Sequence, residues 1–306
     1  MFSVAAIIVT FNRKQLLADC LTAIEHQTFK PTVAYIIDNA SADGTDEWIR
    51  ENGYDRIKSG IEFRYFHLEE NIGGSGGFYT GMKMAYEAKD CFDAFWVMDD
   101  DGVPEPGQLQ KLQAHLGERD YLSPLVVAKG DVSKISFDGG KNVTEYVKRA
   151  NANGLIDGVA FPFNGILFSR RLVGTVGFPI KEMFIWGDEM NYHQRCINNG
   201  FPPAVVVDAF HVHPADRQPQ KPVYGTLRII VPAEDWKLYC YARNRMFNLR
   251  TTATFKHFAG DIFRMLYSYT LYFTFCEFNW RKLGLVYRAM YDGARKDLSR
   301  LSMYRK

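Results

Sequence analysis

This chain predicts an α/β fold on a mixed, mainly parallel sheet flanked by helices, and three observations predict it. Strand-like apolar runs alternate with helix-period segments through the first hundred residues. The first run, "VAAIIVTF" (4–11), is continuously β-branched and apolar, as in a strand buried on both faces. Each run also ends in a polar or glycine-rich stretch, where α/β sheets place their chemistry.

The elements follow in order. "VAAIIVTF" (4–11) is the first strand. "KQLLADCLTAIEHQ" (14–27) repeats Leu16, Leu17, Cys20, Leu21 and Ile24 at a helical period. "TVAYIID" (32–38) is the second strand, "ADGTDEWIREN" opens a short helix, and "IEFRYFHL" (61–68) is the third strand. "GGFYTGMKMAYEAKD" starts another helix before the strand "AFWVMD" (94–99). Right-handed crossovers then bring the polar ends 10–13, 38–45, 70–77 and 99–102 to one rim, at spacings that suit a nucleotide-binding half-fold. Beyond residue 120 the pattern loosens. Residues 158–177 read as strand, turn and helix start, 184–201 as a turn feeding a helix, and 204–214 as a strand running out to His211 and His213. Residues 213–222 read as a flexible loop, and 234–306 as mainly helical. This divides the chain into a domain 1–233 and a helical region 234–306.

Composition narrows the class. The 306 residues carry a net charge of only +2, but residues 237–306 hold fourteen Lys/Arg against four Asp/Glu. That basic region expects an anionic partner. Five cysteines without a CxxC pair exclude a disulfide framework or metal finger and point to a reducing cytoplasm. The apolar start lacks a basic leader and cleavage site, so it reads as a buried strand, and no run reaches membrane-spanning length.

The triplet Asp99-Asp100-Asp101 follows a buried strand, and no cation follows it along the chain. Carboxylates this close need a counter-charge. A divalent cation is the simplest, and hard oxygen ligands suit Mg²⁺ or Mn²⁺.

"IIVTFNR", "IIDNASADGT", "NIGGSGGF", "WVMDDDG" and "IWGDEMNYHQR" occur in one order over residues 4–250. Together they resemble the inverting family 2 glycosyltransferases of GT-A fold. "NIGGSGGF" with a later tryptophan and acidic pair is most similar to the galactofuranosyltransferase branch, and the rhamnosyltransferases carry similar blocks. The resemblance implies a nucleotide-diphosphate sugar donor, UDP-galactofuranose first and dTDP-rhamnose second. It implies a bacterial surface-glycan acceptor on a lipid carrier, and no nucleic acid. Thr10, Asn12 and Arg13 then lie near the nucleotide, Asp38 reads the base, and Asn71, Gly73, Gly74, Gly76 and Gly77 let the backbone approach the donor. Asp99 or Asp100 holds ribose or sugar hydroxyls. Asp101, with Asp99 and His213 (or His211), binds the metal. Glu189, or Asp188, is the base that takes the acceptor proton. Trp186 stacks on a sugar, and Arg243 or Arg245 meets the diphosphate.

The aromatic, basic stretch 261–291 suits a headgroup boundary, which places the enzyme at the cytoplasmic face of the inner membrane. A buried helix or a homo-oligomer contact explains it equally. Two rivals come from other classes: a nucleotidyltransferase, disfavoured because "TFNRKQ" has no glycine, and a non-catalytic nucleotide-sugar-binding module.

Overall fold

The computed structural model describes residues 2–215, 220–225, 227–252 and 255–305, and the side chains of all these except 138 and 255–258. The chain forms two compact units, Met1–Lys181 with Arg195–Asp216, and Glu182–Gln194 with Arg217–Lys306.

The first unit is a sheet with helices. Its strands are β1 (Val4–Thr10), β2 (Val33–Asp38), β3 (Ile57–Lys58), β4 (Ile61–His67), β5 (Ala94–Asp99), β6 (Val103–Pro104), β7 (Tyr121–Ala128), β8 (Asp131–Ile135), β9 (Leu155–Asp157), β10 (Asn164–Ser169) and β11 (Ala204–His213). The main order is β3-β4-β2-β1-β5-β10-β7-β11-β6. β4, β2, β1 and β5 run parallel, and β10 lies antiparallel to β5. Every residue of β1 and β2 is buried, which explains their unbroken apolar runs. The helices are α1 (Lys14–Glu25), α2 (Thr45–Glu51), α3 (Gly73–Glu87), α4 (Gln108–Ala114), α5 (Val143–Val147) and α6 (Arg170–Val176). α1 buries Leu17, Cys20, Leu21 and Ile24, the stripe its period predicts.

α3 explains most of the glycine-rich block. A Cβ on Gly77 would come within 2.5 Å of Val9, and one on Gly81 within 2.6 Å of Ile7. These glycines let the helix lie close on β1. Of the four glycines at 73–77 only Gly73 has positive φ, at the start of α3.

β7 is absent from the sequence reading because Pro124 lies in its middle, where a ladder donor is lost. The β7–β11 register shifts at that point, from Val206 opposite Pro124 to Phe210 opposite Leu125. This bulge absorbs the break.

The second unit holds α7 (Asp188–Asn198) in its first turns, then β12 (Gln220–Tyr224), β13 (Leu227–Ile230), α8 (Asp235–Thr252), α9 (Phe255–Leu271), a π-turn at Tyr272–Cys276 and α10 (Trp280–Ala294). Leu238, Tyr239, Phe273, Val286 and Ala289 are central to its core. The loop expected over 213–222 is corrected at its end: residues 220–222 are already strand, paired with β13. Residues 216–219 of that expectation lie outside the described residues. Among the described residues no helix is long and apolar enough to cross a membrane.

Candidate active site

Parallel register levels the strand ends: Thr10 pairs with Asp38, and Val9 with Asp99. The next two residues, Asp100 and Asp101, therefore project beyond the sheet. Their counter-charge comes from a residue far away along the chain. The Arg13 guanidinium reaches Asp100 and Asp101, each at 3.1 Å. The Thr10 hydroxyl donates to Asp100 at 2.7 Å. Burial pushes the Asp100 carboxyl up to about 6, against the pull of Arg13 and Thr10.

Asp101 has a different neighbour. His213 Nε2 lies 3.1 Å from Asp101 Oδ1. The other ring nitrogen, Nδ1, is 2.7 Å from the Pro214 carbonyl, which can only accept, so Nδ1 carries hydrogen. Nε2 then either donates to this buried carboxylate oxygen from an imidazolium or, in the neutral ring, turns a lone pair towards it. In the neutral ring two electron pairs converge, an arrangement that suits a cation between or beside them.

His211 is two residues earlier on the same strand, but its surroundings differ. It is fully buried, its Nδ1 lies 3.0 Å from Gln108 Oε1, and burial lowers its pKa to about 3. Glycine at 102 and at 165 makes room for the ring, since a Cβ at either would fall within 2.6 Å of it.

The nucleotide-side candidates tie the strand ends together. Asn12, at φ +51°, accepts from the Ala42 amide at 2.7 Å and donates its own amide to Ser41 at 2.8 Å. Asp38 is buried and accepts from Tyr65 at 2.6 Å, His67 at 3.2 Å and the Ser41 amide at 2.9 Å. Three of its roughly four acceptor positions are taken. Asn71 accepts from the Gly73 amide at 2.8 Å and so starts α3.

In the second unit, the turn before α7 carries Trp186, Asp188 and Glu189. Phe184 and Trp186 both have positive φ, and Gly187 joins them at +95°. Non-glycine residues held this way cost of order 1–3 kcal/mol each and cluster at functional sites. α8 holds the turn open. Asn244 Nδ2 donates to the carbonyls of Met183, Ile185 and Trp186 at 2.8–2.9 Å, and Asn248 donates to Gly187 at 2.7 Å. Glu189 accepts from the Gly187 amide at 2.9 Å, and Asp188 is buried. The Trp186 ring meets Tyr241 edge-on at 6.4 Å.

Arg243 is corrected. It was expected near the donor diphosphate, but its side chain is fully buried within this unit. It donates to the carbonyls of Glu182, Met183 and Leu298 and to Asn244 Oδ1, all at 3.0–3.1 Å. No exposed nitrogen is left for a phosphate. Arg245, the alternative, is only half-buried. Asn244 and Asn248 were missed, although two asparagines four apart on one helix share a face, which is a legible signal.

Residues 5–169, more than half of the chain, match the model for Glycosyl transferase family 2. The chain belongs to that family. This glycosyltransferase is 30% identical over 256 residues to galactofuranosyltransferase GlfT1 of Mycolicibacterium smegmatis, across 79% of its own length and 81% of the relative's. It is 27% identical over 280 residues to GlfT2 of the same organism, across 80% of its own length and 40% of that chain. Among solved structures it shares the fold of S. aureus TarS 1-349, with a TM-score of 0.57, 13% identity, and coverage of 98% of this chain and 81% of that one. The same TarS fragment in complex with UDP gives 0.55 at 12% identity, covering 98% and 89%. The expected GT-A fold is met.

Proposed function

We propose that this glycosyltransferase moves galactofuranose from UDP-galactofuranose onto a lipid-linked bacterial surface glycan, by single displacement with inversion. The donor follows the galactofuranosyltransferase relatives; rhamnose from dTDP-rhamnose is the second choice. The observation that carries metal-assisted transfer is the convergence of Asp101 Oδ1 and His213 Nε2 at 3.1 Å beyond the parallel strands. Among the described residues no three His, Cys, Asp or Glu side chains form a metal site by themselves. A two-donor site completed by substrate oxygens and water fits Mg²⁺ or Mn²⁺. Asp101 and His213 would hold the ion, with Asp99 as a third candidate. When bound it supplies charge neutralisation of the leaving diphosphate.

The protein's own residues do the rest. Arg13, half exposed beside the triplet, offers a guanidinium to the donor phosphates. Asp38 and Asn12 shape the loops that receive the nucleotide, and Asp100, tied to Thr10, faces ribose or sugar hydroxyls. Glu189 or Asp188 takes the acceptor proton. The enzyme works at the cytoplasmic face of the inner membrane, with the aromatic C-terminal region against lipid.

The test is hydrolysis of a panel of nucleotide sugars with Mn²⁺ or with EDTA. Asp101→Asn should lose metal-stimulated hydrolysis, and Glu189→Gln should bind donor yet lose transfer by about 10²–10⁴-fold. Equal turnover in EDTA sinks the metal role. Donor binding without turnover of any sugar favours the non-catalytic module.

A further inference from the structure

A second pocket lies wholly within the C-terminal unit, between β13, α8 and α9. Three guanidiniums line it, those of Arg228, Arg245 and Arg264, beside Tyr241, Ser268 and Tyr269. The hydroxyls are already engaged. Ser268 donates to the Arg264 carbonyl at 2.6 Å and Tyr269 to the Ile230 carbonyl at 2.7 Å. Tyr241 accepts from Arg245 at 3.5 Å. Arg245 reaches one carboxylate, Asp261, at 3.8 Å. Among the described residues, Arg228 and Arg264 meet no carboxylate. Three cations against one anion leave two positive charges lining one cavity, and that excess favours an anionic ligand there. Guanidinium forks match phosphate oxygens.

The rim adds the second half of the argument. Phe263, Leu266 and Tyr267 are large apolar residues exposed on α9. Phe263 and Tyr267, four apart, stack at 6.0 Å on either side of Arg264 in sequence. A doubly charged oxyanion site edged by exposed aromatics is amphipathic in the manner of interfacial helices.

We propose that this pocket binds the phosphorylated head of an amphiphile, with the hydrocarbon chain lying over Phe263, Leu266 and Tyr267. This deepens the reading of a lipid-linked acceptor and rests on it for the ligand's class. It does not rest on the metal site. Binding is measured on the full chain in EDTA, so that metal-dependent donor binding does not contribute. The probes are geranyl diphosphate and inorganic pyrophosphate. Geranyl diphosphate should bind at least tenfold more tightly than pyrophosphate. Arg228→Gln/Arg264→Gln should weaken it by about tenfold or more per guanidinium removed, the loss of one charged hydrogen-bonding partner. Phe263→Ser/Tyr267→Ser should erase the preference over pyrophosphate. Both arginines are exposed, so the variants should fold, and thermal unfolding on the same samples checks this. Arg264→Lys, which keeps the charge, should retain most binding. Unchanged geranyl diphosphate affinity in the folded arginine variant overturns the site. Equal affinity for pyrophosphate overturns the amphiphile and leaves a free-anion pocket. Failure of nucleotide-sugar hydrolysis in the unaltered protein would sink the transferase reading instead, so the two failures are distinct.

Discussion

Gly102→Ala tests how the acidic triplet is held. The added Cβ would sit 2.0 Å from His211 Nε2 and 2.8 Å from Cε1, about 1.4 Å inside ordinary contact. The ring has nowhere to go. Gly165 backs it, since a Cβ there would meet Nδ1 at 2.6 Å, and Gln108 grips Nδ1 at 3.0 Å. Gln108 and Trp96 in turn both donate to the Gly165 carbonyl at 3.0 Å. Overpacking of this kind costs about 1–3 kcal/mol, and a clamped ring argues for the upper end. For a chain this long that lowers Tm by roughly 4–6 °C. The strain relaxes most easily through the turn itself, next to Asp101. A shift of about 1 Å there should reduce donor hydrolysis about 10²-fold. The assay is a double-mutant cycle by thermal unfolding and by hydrolysis. In a His211→Ala background the space is vacant, so Gly102→Ala should cost less than about 1 kcal/mol, a coupling of about 2 kcal/mol. If Gly102→Ala melts and turns over like the parent, or costs the same in both backgrounds, the clamp does not exist.

Three further outcomes follow from packing and charge. Gly81→Ala should destabilise although alanine is the better helix former by about 1 kcal/mol, because its Cβ lands 2.6 Å from Ile7 and 3.0 Å from Ile37; calorimetry showing a raised Tm would refute close helix–sheet packing. Arg243→Met should take the side-chain donor from the carbonyls of Glu182 and Leu298, at about 1–3 kcal/mol for each group left unpaired, while Met183 keeps Asn244. Hydrogen exchange over residues 182–189 should then rise, and unchanged protection counts against the scaffold. Asp120 concerns pH. Burial raises its carboxyl, but hydrogen bonds from Arg171 and Ser169 overcome this and hold it below the ordinary value. Its contribution is therefore present above about pH 4 and is lost as pH falls through the folded-state value. Arg171 is exposed, so the contribution is small. The gap between the urea midpoints of Asp120→Asn and the parent should be full at pH 6 and narrow as pH falls below about 4; a constant gap rejects the linkage.

Much of the fold was legible because three of the four parallel strands, β1, β2 and β5, are buried on both faces and so read as apolar runs. β7 was not, since Pro124 breaks its pattern and only the bulge opposite rescues the pairing. The β12–β13 hairpin was hidden by the polar, proline-bearing stretch around Pro222, which reads as loop. At the site, the triplet and its position were visible, and its protein counter-ion was not. Arg13 lies 87 residues from Asp100, and only sheet register brings them together. Arg243 was misread because an arginine among aromatics looks alike whether it faces phosphate or carbonyls. What separates the two is burial, which a single sequence does not display.

The hold of α8 on the turn before α7 carries a consequence for biosynthesis. Residues 183–187 take their shape from side chains some sixty positions downstream. A nascent chain that has released the whole family-matched stretch 5–169 still lacks the brace for its acidic turn. The parallel strands β1, β2, β4 and β5 can assemble early on the ribosome, while the acidic turn takes its shape only once Asn248 has cleared the exit tunnel.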